Sequence, residues 1–236
     1  MPITRTLLEL RTDARRYADQ ESSAFVSDAE VDRYLNLGIA GLWHEWIQAD
    51  IDRLLRRTEI TTTAGTREYT LPDDFAAIRT VERLASSGSE VAFVLDSYNI
   101  GEGHSAGGSA FEAFGADAGL RYTVFGQGQS GTDTRLRFDP DPGARSFRVW
   151  YIPEPPVLTA DGDTLDGVAG WEEWAVLWAA EQMMAKEESD PSALIRRRME
   201  MTQRIRTLSA SRNAGQAPSV VRARGRRLGV GRRARG

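Results

Sequence analysis

Gly170-Trp-Glu-Glu-Trp-Ala-Val-Leu-Trp-Ala-Ala-Glu-Gln-Met-Met-Ala-Lys186 decides the fold. Trp171, Trp174 and Trp178 recur at helical spacing and residues 174–180 are an unbroken apolar run, so the predicted helix is apolar around most of its circumference. Such a helix has to be surrounded by other elements. Trp43 and Trp46 lie on a second predicted helix, so five of the six tryptophans occupy two segments more than a hundred residues apart. Aromatic side chains bury the most area per residue, which places the core where these segments meet and makes everything between them an insertion. Core packing, rather than a cofactor box, is the ordinary use of such a cluster.

Working outward, Ile3, Leu7, Leu10, Ala14 and Tyr17 step by four and three, and predict an amphipathic helix over 3–20 after Pro2. Ser27-Asp-Ala-Glu30 reads as a capping box, with Val26 and Val31 placed as a hydrophobic staple. The apolar face that follows predicts a helix over 28–56. Gly38 and Gly41 lie on or beside that face, where they cost helix propensity and make sense only as points of close helix contact. Downstream, Asp190-Pro191 supplies a cap and a first-turn proline for a last helix over 191–211, with Leu194, Ile195, Met199, Ile205 and Leu208 as its apolar positions.

Between the Trp segments the apolar period changes to two. Residues 59–63, a turn at Ala64-Gly65 and residues 67–71 read as a hairpin. Further strands are predicted at 78–84, 90–95, 120–125, 134–138 and 146–152, separated by Gly-, Ser- and Pro-rich turns. The loop from Ser97 to Gly119 is long and rich in small residues, the kind that is usually functional. Its Phe111 and Phe114 have no evident core of their own and are candidates for contact with a neighbouring subunit or a tail protein. The expected fold class is α+β: a four-helix bundle with an antiparallel β domain inserted between helices two and three. The bundle takes residues 1–57 and 157–212, the β domain 58–156, and a flexible tail 213–236.

The 236 residues carry 30 basic and 34 acidic side chains, but the charge is unevenly placed. The last 24 residues hold seven arginines and no acid, which leaves residues 1–212 with 23 basic and 34 acidic residues, a net −11. The tail is otherwise Gly, Ala, Pro and Ser with few large apolar groups, a composition that cannot build a core. With no cysteine there is no disulfide framework and no thiolate metal site. The N-terminus lacks the pattern of a signal peptide, and no apolar run is long enough to span a bilayer.

Chemistry-bearing motifs are weak. Gly126-Gln-Gly-Gln-Ser-Gly131 matches the dinucleotide fingerprint in letters, but a strand pattern follows it where a helix N-terminus is required, so it reads as a hairpin loop. Gly101-Glu-Gly103 is weaker still. His44 and His104 show no ligand spacing, and no metal or cofactor is implied. Asp73-Asp74, Glu172-Glu173 and Asp139 with Asp141 sit at turns and helix starts, where capping and solvation explain them better than acid–base catalysis. No serine-nucleophile motif and no P-loop is present, so the balance favours a binding or structural role over an enzyme.

The layout as a whole is recognisable: two helices, a β region entered through Tyr69-Thr-Leu-Pro-Asp-Asp-Phe75, a return strand ending Val149-Trp-Tyr-Ile-Pro153, a Trp/Ala helix, a capped last helix and a tail. Over roughly residues 3–212 it resembles the head-to-tail adaptor (connector) proteins of tailed bacteriophages, the group that includes tail tubular protein A of short-tailed phages. The resemblance implies a virion neck component, assembled in the host cytoplasm, that forms a ring, commonly of twelve copies. It further implies docking under the portal protein, reception of a tail or nozzle protein, and a channel through which double-stranded DNA passes without specific binding. C-terminal segments in such adaptors often reach the portal. The candidates here are Arg222, Arg224, Arg226, Arg227, Arg232, Arg233 and Arg235 with Val220, Val221, Leu228 and Val230. Two other readings stay open at this point: a nucleic-acid-binding protein using the Arg-rich tail on phosphates, and an oxidoreductase or transferase using the Gly loops.

Overall fold

A computed structural model describes residues 4–20, 25–49, 54–85, 90–99, 119–126, 134–166 and 170–212. Among them are four helices, α1 (Leu7–Tyr17), α2 (Asp28–Gln48), α3 (Glu173–Lys186) and α4 (Ser192–Arg212). The strands are β1 (Thr4–Thr6), β2 (Arg56–Thr61), β3 (Glu68–Thr70), β4 (Phe75–Leu84), β5 (Val91–Val94), β6 (Asp96–Ser97), β7 (Arg121–Phe125), β8 (Arg135–Asp139), β9 (Ser146–Pro153) and β10 (Thr164–Asp166). The class is α+β with sheets that are almost wholly antiparallel.

The Trp-rich α3 packs against α1, α2 and α4, as an all-round apolar helix must. One cluster joins Leu7, Leu10 and Ala14 of α1 and Val31, Leu35 and Ile39 of α2 to Ala175, Val176, Ala179 and Met183 of α3. A second cluster joins Leu42 and Trp46 of α2 to Trp171 and Trp174 and to Met201 and Ile205 of α4, with Trp43 and Trp178 packed against it. The two Trp segments therefore do meet: the Trp46 and Trp171 rings lie 6.4 Å apart. The glycines explain how closely. A Cβ on Gly38 would stand 2.8 Å from the Ala175 carbonyl oxygen, and one on Gly41 would stand 2.8 Å from the tip of the Trp174 ring.

The starts of the helices follow the sequence chemistry. Ser27 and Glu30 form the expected capping box, and the stapling pair Val26 and Val31 are both fully buried. Asp190 accepts from the Ser192 amide at 3.0 Å at the head of α4. α1 begins later than its apolar stripe predicts, because Thr6 and Glu9 form a second capping box and residues 4–6 instead form β1. β1 pairs antiparallel with β10, a stretch for which the sequence predicts no strand. α2 likewise stops at Gln48, short of the expected 56, and Arg56 already belongs to β2.

The β region forms two four-stranded sheets, ordered β2-β9-β4-β5 and β3-β8-β7-β6. They share one core, in which Leu136 and Phe138 meet Phe147 and Val149; the Phe138 and Phe147 rings are 4.5 Å apart. The hairpin expected at 59–71 does not form. β2 pairs with β9 while β3 pairs with β8, so the chain crosses from one sheet to the other at this turn. Side-chain bonds hold the crossing: the Thr62 hydroxyl donates to the Gly143 carbonyl at 2.5 Å, and the Tyr69 hydroxyl accepts from the Thr63 amide at 2.9 Å. The β6–β7 pair is parallel, the one departure from antiparallel pairing among the described strands.

Candidate interaction surfaces

The aromatic cluster is structural in its chemistry. Trp174 and Trp178 stack with ring planes 3° apart, and the Arg198 guanidinium lies 4.9 and 5.0 Å from their centroids. Arg198 Nε donates to Glu181 at 2.7 Å, which satisfies a carboxylate only 4% exposed. Trp174 donates to the Thr202 hydroxyl at 2.9 Å, and Trp43 donates to the Pro153 carbonyl at 2.9 Å. The latter bond ties α2 to the end of β9. These bonds and ring contacts join α2, α3, α4 and the end of β9 to one another.

Asp74 and Glu173 of the paired acids are committed to local structure, whereas Glu172 is 3% exposed and its Oε2 has no hydrogen-bond partner among the described residues. Asp74 accepts from Arg56 at 2.5 Å and from the Tyr151 hydroxyl at 2.9 Å, while Glu173 accepts from Arg197 and from the Tyr17 hydroxyl at 2.6 Å. Burial pushes both tyrosines above the ordinary phenol value, and the neighbouring carboxylates add to the shift. Asp141 accepts from the amides of Gly143 and Gly65, and these bonds hold its carboxyl below the ordinary value. Amide donors of Ala160 and Thr159 do the same for Asp163. Each depressed carboxyl fixes a turn or a helix start. Among the described residues no group of three or more His, Asp or Glu side chains converges as a metal site, and no described helix is long and apolar enough to cross a membrane. The fingerprint-like segment 126–131 lies between β7 and β8, which pair antiparallel, so the next described element after it is a strand.

What the surface does offer is docking area. A cleft of about 610 Å³ opens where α2 meets the end of β9, lined by Trp43, Leu54, Asp73, Glu154, Pro155 and Pro156. Large apolar side chains stand in solvent at Val91 and Val94 of β5, at Met199 and Ile195 of α4, and at Val157 beside the cleft. Ile195 and Met199 were expected among the apolar positions of the last helix, and the structure leaves them exposed while Ile205 is buried; periodicity marks apolar positions and does not state which of them a neighbour covers. The candidates it did single out, Phe111 and Phe114 in the long loop and Val220, Val221, Arg222, Arg224, Arg226, Arg227, Leu228, Val230, Arg232, Arg233 and Arg235 in the tail, lie outside the described residues.

A search of curated proteins gives no match. Comparison with protein families matches residues 5–225 to the family described as SU10 adaptor protein. The match takes in the four described helices, both four-stranded sheets and the first part of the Arg-rich tail. The chain belongs to the SU10 adaptor protein family, and is a bacteriophage adaptor.

Proposed function

We propose that this chain is the head-to-tail adaptor of a bacteriophage virion, assembled as a ring between portal and tail around the DNA channel. The family match over almost the whole chain is the observation that carries the reading. In this proposal the four helices act as one bundle, residues 1–57 and 157–212, with the β region 58–156 as an inserted domain and 213–236 as a separate tail. In this reading the portal protein lies above, a tail or nozzle protein below, and the ring has twelve copies, the number common among the adaptors that the sequence resembles. The charge supports the placement around DNA: a body at −11 repels phosphates, so a duplex passes without the counterion release that would hold it.

Exposed apolar groups on both the helices and the sheets support assembly, since surfaces of this kind are stable when a neighbour covers them. Electron microscopy of the purified protein, alone and mixed with portal, tests the proposal. Rings that seat on the portal are the expected result. A salt-sensitive complex with duplex DNA and no rings would instead favour the phosphate-binding reading of the tail.

A further inference from the structure

The cleft between α2 and the end of β9 has a lining of mixed chemistry. It sets three carboxylates, Asp73, Asp74 and Glu154, against one arginine, Arg56. Arg56 and the Tyr151 hydroxyl already hold Asp74. Asp73 and Glu154 are exposed, and their carboxylates have no hydrogen bond or ion pair among the described residues. The wall beside these acids is apolar, with Trp43, Leu54, Pro155 and Pro156. Trp46 lines the cleft as well; it is 1% exposed, and its indole N–H has no hydrogen-bond partner. An indole N–H only donates, and buried donors in folded proteins are ordinarily satisfied. An arginine-bearing peptide matches all three features: cations for the carboxylates, aliphatic groups for the wall and carbonyl acceptors for a free donor.

The chain carries such a segment a short distance away. Ile205 of α4 and Leu54 of the cleft wall belong to one apolar cluster, and Arg206 bonds to Glu45 and Gln48 at the end of α2. α4 therefore ends at the same end of the helices as the cleft. Its last residue, Arg212, stands about 10 Å past Ile205 at 1.5 Å per residue. The seven residues 213–219 that follow carry no charge. Fully extended they span up to about 25 Å, enough to retrace that rise and bring Val220-Val221-Arg222-Ala223-Arg224 to the cleft. Charge agrees with reach, since the tail has seven arginines and no acid and the cleft three acids and one arginine.

We propose that in the free subunit this cleft holds residues 220–224 of the chain's own tail, and that portal takes the tail over from it. The second half of the inference rests on the reading of the tail as the portal-binding segment. Arg222 and Arg224 offer forked donors to Asp73 and Glu154, and Val220 and Val221 cover the proline and tryptophan wall. Exposed ion pairs are individually weak. A tethered segment, however, is presented at an effective concentration on the order of millimolar, so a weak contact is populated within one chain. The same pairing disfavours phosphate as occupant, because the unpaired groups of the cleft are carboxylates.

The chain has no cysteine, so introduced pairs report without background. In the full chain, E154C/R224C under mild oxidation should close a disulfide within one chain at high dilution, and Q203C/R224C far less; Gln203 is exposed on α4 and nearer the tail in sequence. Adding D73N to the first pair should slow its closure. D73N/E154Q replaces two carboxylates that the fold does not use, and should bind portal at least about threefold more tightly, the factor expected when the cleft holds the tail two thirds of the time. Equal closure of the two cysteine pairs overturns the proposal. Disulfides that join two chains instead of closing within one give the cleft to a neighbour's tail and overturn it as well. Preferential closure in a chain whose portal binding survives deletion of 213–236 leaves the cleft its occupant and ends the portal reading of the tail. Where that deletion does weaken portal binding, a D73N/E154Q chain no tighter than the wild type overturns the exchange.

Discussion

Replacing Gly38 by Ala sets two known effects against each other, and the structure decides the sign. In an isolated helix the change is favourable by about 1 kcal/mol, because alanine loses less conformational entropy. Here the new Cβ would stand 2.8 Å from the Ala175 carbonyl oxygen, 3.0 Å from the Ala175 Cα and 3.1 Å from the Trp178 ring. The first two are backbone atoms of α3, so relief requires α2 and α3 to separate by several tenths of an ångström. That movement loosens a layer in which Ala175, Val176 and Ala179 are fully buried. Overpacking of this kind costs about 1–3 kcal/mol, so the net expectation for Gly38→Ala is a loss of about 1 kcal/mol or more. Gly162 is the control: nothing lies within 4 Å of a Cβ added there, and its φ is outside the left-handed region. Gly162→Ala should gain about 0.4–1 kcal/mol by restricting the unfolded chain. Urea denaturation, read as the change in midpoint at constant m-value, measures both. A Gly38→Ala chain as stable as the wild type or more so would refute the close approach of the two Trp-bearing helices.

Trp46, 1% exposed, should cost about 3–5 kcal/mol when truncated to Ala, and the half-buried Trp178 less; equal losses in urea melts would show that the centre of the cluster is misplaced. Stability should fall on acidification. Asp163, Asp141 and Asp190 have folded pKa values below their ordinary value of 3.8, so their contribution is present above it and is lost as the pH falls through the lowered values. Urea midpoints measured from about pH 5 down to about pH 2 should trace that limb, and Asp163→Asn should flatten it. Deleting 213–236 should leave the helical circular dichroism intact and strongly weaken attachment to portal. Unchanged portal binding, or tight duplex binding by the full chain with a log–log salt slope near −0.9 per phosphate, would end the portal assignment of the tail.

The helical part was legible because its signals are local and redundant. Ser27 and Glu30 announce a helix start, Val26 and Val31 fix the entry of the chain, and Trp at helical spacing demands a surrounding layer. Strands 4, 7, 8 and 9 were legible to within a few residues for the same reason, since a strand pattern over five or more positions repeats its message, and β5 was legible from its apolar run between turn signals. The hairpin at 59–71 was misread because a turn signal states only that the chain reverses, not which neighbour each arm takes. Thr62 and Tyr69, whose hydroxyls hold the crossing, bond to residues as far away as Gly143, and no local pattern encodes such a partner. β1 and β10 are three residues each and 160 apart, too short for periodicity and too distant for a turn. Exposure was the least legible: Val94 reads as one more strand residue until its place at 58% exposed is known.

Charge was legible as a sum and not as an arrangement. The arginines of the body are largely spent on its own acids: Arg11 bridges Asp32 at 2.7 Å and Asp161 at 2.8 Å, Arg148 reaches Glu59 at 3.1 Å, and Arg206 reaches Glu45 at 2.9 Å. These pairs join elements distant in sequence, so the body's arginines act as ties within the fold. The tail differs in kind, because it contains seven arginines and no acid within its own length. Its guanidinium groups must find counter-charges elsewhere, on carboxylates or on phosphates, and both accept the same forked donor geometry. What separates the two partners is Val220, Val221, Leu228 and Val230. A phosphate track gives aliphatic side chains nothing to bury against, whereas a groove on a protein surface rewards them with the area they remove from water. In the proposed ring, repetition of the tail would raise the effective concentration of each remaining tail once one has docked, so a weak individual contact would suffice to hold the assembly.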